Sequence, residues 1–209
     1  APYGAGEELL MPALLKLQLA YPGINIDLVL SDRVTDPVTE GVDISLRLGE
    51  AGGGYYVARP LGKIERLLVA SPEYLQRYDM PRTPGELARH AFARVSGLFM
   101  NNHVTLIAPD NALLTVPVRI TFTSSHWRPL RTVLLAGRAI GVLQSPVCQQ
   151  EIADGHLVPV LPDYLVPSFP AYLLYPPANI ISAETRACVA FLENELRTSL
   201  TRSVTKGQL

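Results

Sequence analysis

Small and hydroxyl-bearing residues collect in this chain where apolar runs end, and their chemistry suits recognition of a polar anion. The corners are Tyr3-Gly4-Ala5, Ser31-Asp32, Ser96-Gly97, Thr123-Ser124-Ser125-His126 and Ser145-Pro146. Three of them open helical patterns. A helix start presents free N–H groups and a partial positive charge, worth roughly 0.3–1 kcal/mol to a nearby anion. Hydroxyls beside such groups would suit a carboxylate. The plainer role for each serine is to cap its own helix, contributing about 1 kcal/mol to folding. A set of such corners lining one crevice favours the binding role. His126 could hold an acidic ligand or stand as a solvated surface group.

Catalysis and metal binding find little to work with. The chain has no G-x-S-x-G elbow and no spacing that suggests a nucleophile, a base and an orienting acid. His90, His103, His126 and His156 are isolated, with neither an HExxH pattern nor a cysteine pair near them, so no metal site and no cofactor is expected. The run Ala51-Gly52-Gly53-Gly54 leads into Tyr55-Tyr56-Val57, a strand start rather than the GKS helix start of a phosphate loop. Cys148 and Cys188 belong to no CxxC pair and read as reduced thiols.

The corners need strands and helices to hold them. Ile24, Ile26, Leu28 and Leu30 alternate with Asn25, Asp27 and Val29, and Ile44, Leu46 and Leu48 alternate with Ser45 and Arg47. Both runs have the period of a strand with one buried face. The ten residues from Asp32 to Gly41 predict a tight helical crossover, begun or distorted at Pro37, so the strands are expected to be parallel. Ligands of such sheets sit off the carboxyl ends of the strands, where Ser31 and Asp32 fall.

In chain order, Ala1–Ala5 reads as a strand end and Gly6 as the turn into a helix with Leu10, Leu14, Leu17 and Tyr21 on one side. Ser71-Pro72 and Thr83-Pro84-Gly85-Glu86 are helix starts, the second with the capping-box pattern. Ala91–Ser96 reads as the crossing into a second lobe. His103–Ala108 and Leu113–Thr123 predict strands joined by a turn at Pro109-Asp110-Asn111. A helix over about His126–Ala136, capped by Thr123-Ser124-Ser125 and closed by Gly137, precedes a strand at Ala139–Leu143 and a helix from Ser145-Pro146. Short strands follow at Leu157–Leu161 and Ala171–Tyr175. Ser182 caps a last helix with Val189, Leu192, Leu196 and Leu200 on its inner side.

A length of 209 residues, 48% hydrophobic and 18% charged, suffices for one compact domain or two small ones. A net charge of −1 gives no electrostatic footprint for nucleic acid. No apolar run approaches the roughly 20 residues of a membrane span. The chain starts at Ala1 without Met, as expected of a processed or excised piece.

The segment Leu28-Val29-Leu30-Ser31-Asp32-Arg33, the turn Glu40-Gly41-Val42-Asp43 and the strand end Arg47-Leu48-Gly49 occur here together and in register. In this they resemble the effector-binding domain of LysR-type transcriptional regulators. The resemblance continues through Ser71–Leu75, Pro81–Pro84 and Leu157–Asp163. It implies an α/β fold of two Rossmann-like lobes joined by two crossover strands, the type 2 periplasmic-binding-protein-like architecture. Lobe I would be residues 1–92 and 172–200, lobe II residues 93–171, and residues 201–209 a disordered tail. A small anionic effector would occupy the inter-lobe cleft, touched by the first turn, Ser31, Ser124 and Ser125. Gly4 stands where members often carry a hydroxyl. The resemblance further implies a cytoplasmic homodimer built on the first helix and its neighbouring strand, or a tetramer at full length. DNA would be bound through an N-terminal winged helix-turn-helix outside this chain. The alternative is a solute-binding protein of a transport system, exported and monomeric.

Overall fold

The structure is a computed structural model that describes residues 1–32, 40–177 and 179–206, with the backbone alone for Met100 and residues 202–206. It divides into two compact units, Ala1–Ile64 with Phe169–Leu209, and Glu65–Ser168. The chain passes from the first to the second inside strand β2 (Val57–Ala70) and returns inside β9 (Val166–Tyr175). The first passage therefore falls in the run leading to Leu67–Ala70, upstream of the Ala91–Ser96 strand where the sequence pattern suggests it. A strand that serves both units shows no break in hydrophobic pattern at the boundary.

In unit 1 the chain is helical from Tyr3. α1 (Tyr3–Ala5), a π turn (Gly6–Leu10) and α2 (Met11–Ala20) run on without leaving helical geometry. The expected strand end at Ala1–Ala5 is replaced because the Asp32 carboxylate accepts a hydrogen bond from the Tyr3 N–H (3.0 Å), a cap from a distant part of the chain. Pro12 explains the wide turn. It has no N–H for the Glu8 carbonyl and its ring crowds that group, and Met11 donates instead to the Gly6 carbonyl, five residues back. Leu10, Leu14 and Leu17 are buried as their spacing predicts, whereas Tyr21, the fourth residue of the stripe and the C-cap of α2, is exposed.

Ile24–Leu30 is extended, and its odd and even side chains alternate between half-buried and exposed, yet it belongs to no ladder among the described residues. The Ile24 N–H donates to the Tyr21 carbonyl (3.1 Å), and at the other end Ala1 donates to the Val29 carbonyl (2.8 Å) and accepts from the Ser31 N–H (2.8 Å). Alternation reports one-sided burial, which Ile24, Ile26 and Leu28 achieve against the core without strand pairing. The partner of β1 (Ser45–Leu48) is β9, antiparallel, with Leu46 opposite Leu173. The expected parallel pair is thus not formed among the described residues, and residues 33–39 of the expected crossover helix lie outside them.

α6 (Ala183–Lys206) starts at Ser182, whose Oγ accepts from the Thr185 N–H (3.0 Å). Val189, Leu192, Leu196 and Leu200 are buried with Leu14, Leu17, Leu61 and Leu173 in one core. The helix continues through Lys206, so the disordered tail expected from Thr201 is corrected over residues 201–206; residues 207–209 are not described. No proline or glycine interrupts this stretch, and a polar face does not stop a helix already nucleated by packing.

Unit 2 is a sheet of order β2-β7-β3-β6, with β3 (Ala91–Val95), β6 (Arg119–Ser124) and β7 (Ile140–Gln144). β7 and β6 both run parallel to β3, whereas β2 is antiparallel to β7. β4 (His103–Ile107) and β5 (Leu113–Pro117) form a separate hairpin whose turn is held by Asp110, accepting from the Ala112 N–H (3.0 Å). β8 (Val158–Pro159) adds two residues to the end of β2. α3 (Pro72–Tyr78) is capped by Ser71, as its Ser-Pro start predicts. The Thr83 start yields a 3₁₀ helix, Pro84–Arg89, in which Glu86 reaches back to the Arg82 N–H (2.8 Å) and Thr83 makes no side-chain cap. α4 (Trp127–Leu135) and α5 (Ser145–Ala153) are tied by the ion pair of Arg131 with the buried Glu151.

Tyr74 and His90 are both buried in this unit. The Tyr74 hydroxyl accepts from the Ala91 N–H (3.0 Å) and lies 3.3 Å from His90 Nδ1, where its proton serves a neutral imidazole. Burial lowers the His90 pKa below its ordinary value, Glu86 and Asp79 opposing that shift and Arg119 adding to it. The unfolded chain therefore takes up a proton before the folded one does. Stability from this group is complete above the unfolded pKa of about 6.5 and is lost as pH falls below it. The melting temperature should drop between about pH 7 and pH 5, and H90Q should flatten that drop in a calorimetric pH series.

Candidate functional site

The corners predicted from sequence fall into two groups, one in each unit. In unit 1, Gly4 and Ala5 are buried in the first helical turns, Tyr3 and Ser31 are half-buried and Asp32 is exposed. The Tyr3 N–H is already engaged by Asp32, and the Ser31 N–H by the Ala1 carbonyl. A carboxylate of the protein thus occupies the helix start that was expected to receive a ligand, and it repels a second anion there.

In unit 2 the three adjacent strands β7, β3 and β6 point the same way, so their carboxyl ends share one edge of the sheet. Ser96 and Gly97 follow β3, Thr123 and Ser124 end β6, and Ser145 follows β7. Three of the predicted corners' residues are joined there by direct bonds, and a fourth, Thr123, is bonded by Arg94 of the neighbouring strand. The Ser96 N–H donates to the Ser124 carbonyl (2.7 Å), the His126 N–H donates to Ser124 Oγ (3.1 Å), and Arg94 Nε donates to Thr123 Oγ1 (3.4 Å). Ser125 is exposed in the bend between β6 and α4. Ser145 is buried, its Oγ accepting from Gln149 Nε2 (3.1 Å).

The cap of α4 differs from the serine cap predicted. Its N-cap is His126, whose Nδ1 accepts from the Arg128 N–H (3.1 Å) and whose ring stacks beside Trp127. Ser125 sits one position too early to reach the first turn. The cap of α5 is Gln144, with Ser145 as the first helical residue. Neither helix has an acidic residue in its first turn, so both positive ends point at the carboxyl edge without a carboxylate of their own. Among the described residues no group of three or more histidine, cysteine or acidic side chains could hold a metal. Burial pushes the Cys148 thiol up to about 12, so it stays protonated and is no nucleophile at neutral pH.

Two side chains at this edge escape sequence reasoning. Arg66 lies opposite Gln144 in the β2–β7 ladder. Its Nε donates to the Pro167 carbonyl (2.6 Å), its guanidinium carbon is 5.7 Å from the Phe99 ring centroid, and burial lowers its pKa to about 10. In the sequence Arg66 is one charge of the Lys63–Arg66 stretch and Gln144 a polar strand end. Only cross-strand pairing reveals them as neighbours on one face. Phe99 reaches Arg66 from a loop in which Gly97, Phe99, Asn101 and Asn102 all take positive φ. That conformation costs a bulky residue about 1 kcal/mol and must be held by its surroundings.

The sequence matches the profile of the LysR substrate binding domain over residues 1–197. The chain belongs to that family. It is 30% identical over 190 residues to the transcriptional activator TtdR of Escherichia coli, covering 91% of this chain and 61% of that protein. Against the regulator CrgA of Neisseria meningitidis the identity is 31% over 198 residues, covering 92% and 64%. This LysR substrate-binding domain therefore spans about three fifths of the length of the curated relatives it matches. The solved CrgA regulatory domain superposes with a TM-score of 0.82 at 28% identity, covering 93% of this chain and 95% of that one. Full-length AphB of Vibrio cholerae gives 0.84 at 25% identity, covering 92% and 66%. The fold is the type 2 periplasmic-binding-protein-like α/β fold of LysR-type regulatory domains. These relatives are named as transcriptional regulators, which favours neither an enzyme nor a transport protein.

If His126 holds α4 through its Nδ1, H126A should lower stability by about 1 kcal/mol in urea unfolding while H126N, a good cap in its own right, should lose little. Equal losses in both variants would place the histidine's contribution in its stacking on Trp127.

Proposed function

We propose that this domain senses a small anionic effector for a LysR-type transcriptional regulator. The observation that carries the reading is the set of groups on the carboxyl edge of unit 2 in a chain of this family: two helix starts free of acidic residues, the hydroxyls of Thr123, Ser124, Ser125 and Ser145, and His126. Ser96 and Gly97 border the same edge. Effector binding changes transcription only if the ligand binds one arrangement of the regulator more tightly than another. A complete switch needs a preference of about 10⁴-fold. DNA contact belongs to a winged helix-turn-helix outside this chain, as the charge of −1 leaves this domain unsuited to phosphate backbones. Such a regulator works in the cytoplasm, and no helix among the described residues is long and apolar enough to cross a membrane.

A second copy of the chain is the partner we infer for unit 1. Met11, Leu15 and Leu19 recur every fourth residue along one exposed side of α2, with relative exposures of 38%, 51% and 82%. Val29, at 62%, is exposed on the extended segment of the same unit. A stripe of this kind fits a self-complementary, two-fold contact. Sedimentation of L15E/L19E should give a monomer where the parent chain gives a dimer. A parent chain that is monomeric at all concentrations would refute this partner.

The sensing role is tested in the full-length regulator. S124A/S125A should leave operator affinity without effector unchanged and should weaken the response to an acidic effector by about tenfold or more. An unchanged response, with only the melting temperature lowered, would leave these serines a structural role.

A further inference from the structure

One buried carboxylate of unit 2 has no part in the chemistry of the carboxyl edge. Glu151 lies in the last turn of α5, where the helix dipole disfavours negative charge, and it is buried all the same. One of its carboxylate oxygens pairs with the Arg131 guanidinium of α4, and the other lies 3.2 Å from His156 Nδ1. Arg131 Nε is buried and finds no acceptor among the described residues, so the pair is incompletely compensated. Both charges lose water on folding, and apolar side chains of similar volume in place of such a pair are often neutral or stabilising. Folding stability therefore does not explain why α4 and α5 are joined by charges rather than by leucines. An apolar contact can slide along a helix. A charge pair holds only where guanidinium and carboxylate meet.

Arg131 follows Trp127 by one turn, on the same side of α4. Glu151 shares one side of α5 with Cys148 and Ser145, which precede it at intervals of three, and all three are buried. Both helices begin where strands of parallel direction end, α4 after β6 and α5 after β7. We infer that the Arg131–Glu151 pair is a positioning device: it sets the start of α4 against the start of α5, and so sets the spacing of the two positive helix ends on the carboxyl edge. This rests on the effector-sensing reading and adds to it two residues that touch no ligand. An anion meets the helix starts, and Arg131 and Glu151 act through them by fixing how far apart they stand. His156 steadies the carboxylate from the turn after α5, where its own N–H donates to the Glu151 carbonyl (2.8 Å).

Trp127, the one tryptophan of the sequence, is the first residue of α4, and its fluorescence reports on that helix start. In the 209-residue chain, R131M/E151L should melt at or above the parent's temperature. Its Trp127 emission should nevertheless shift to longer wavelength and be quenched several-fold more readily by acrylamide. The exchanged pair R131E/E151R should return both signals toward those of the parent. Inorganic sulfate, titrated at constant ionic strength as a probe of the two helix starts, should bind R131M/E151L about fivefold or more weakly than the parent and regain affinity in R131E/E151R. An unchanged Trp127 signal or an unchanged sulfate affinity in R131M/E151L would overturn the inference. So would a double variant that loses stability and is not rescued by the exchange, which would leave the pair a structural bond only. A parent chain that ignores sulfate, with Trp127 released in R131M/E151L, would remove the sensing reading and leave the coupling of the two helices standing.

Discussion

Unit 2 depends on the close approach of α4 to the sheet at Gly141. This glycine lies in β7 opposite Ala93 of β3, and a Cβ built there would come within 3.0 Å of both the Ala93 carbonyl oxygen and Leu134 of α4. Leu134, with no exposed surface, therefore rests on bare backbone. Any larger residue would lift the helix or separate the strands, at a typical cost of about 1–3 kcal/mol. β7, β3 and β6 run parallel, and after one irregularity in the β3–β6 ladder past Phe92, Val95 of β3 ends opposite Ser124 of β6. The turns that follow them then deliver Ser96, Ser124 and Gln144 to one edge.

That edge is held in two different ways. Backbone bonds fix its frame: Ser96 to Ser124 across the strand ends, and the Arg94 guanidinium bridging Thr123 and the Phe99 carbonyl (2.8 Å). Side chains supply its chemistry at some cost to folding. Phe99 is kept at positive φ, Arg66 is half-buried, and Gln144 Oε1 is left without a donor among the described residues. Unfavourable local choices of this kind cluster where a protein binds something, since a partner can offset them. Among the described residues unit 1 shows no such feature at its own corner, where Asp32 caps the helix start from within the chain.

Much of the architecture was legible because local rules were obeyed locally. The Ser71-Pro72 and Ser182 starts, the Gly137 helix end and the inner stripe of α6 all rest on groups within four residues of each other, and all appear where the pattern puts them. The failures share one cause. Ile24–Leu30 has the alternation of a strand but no ladder, Tyr3 begins a helix on a carboxylate from Asp32, and the division between units falls inside β2. In each case the deciding group lies far along the chain.

The same division holds for the site. Residue types alone offered no G-x-S-x-G elbow and no metal-ligand spacing, and they placed hydroxyls and helix starts at the ends of apolar runs. The motif wording around Ser31, Asp32 and Arg47 carried the family. Tertiary structure decided which corners meet: parallel register gathers those of unit 2, and an internal carboxylate fills that of unit 1. It also decided that Arg66 and Gln144, 78 positions apart by their numbering, face the same way. Side-chain chemistry is written residue by residue, but which charge loses its water and which acceptor loses its donor depends on what packing brings beside them.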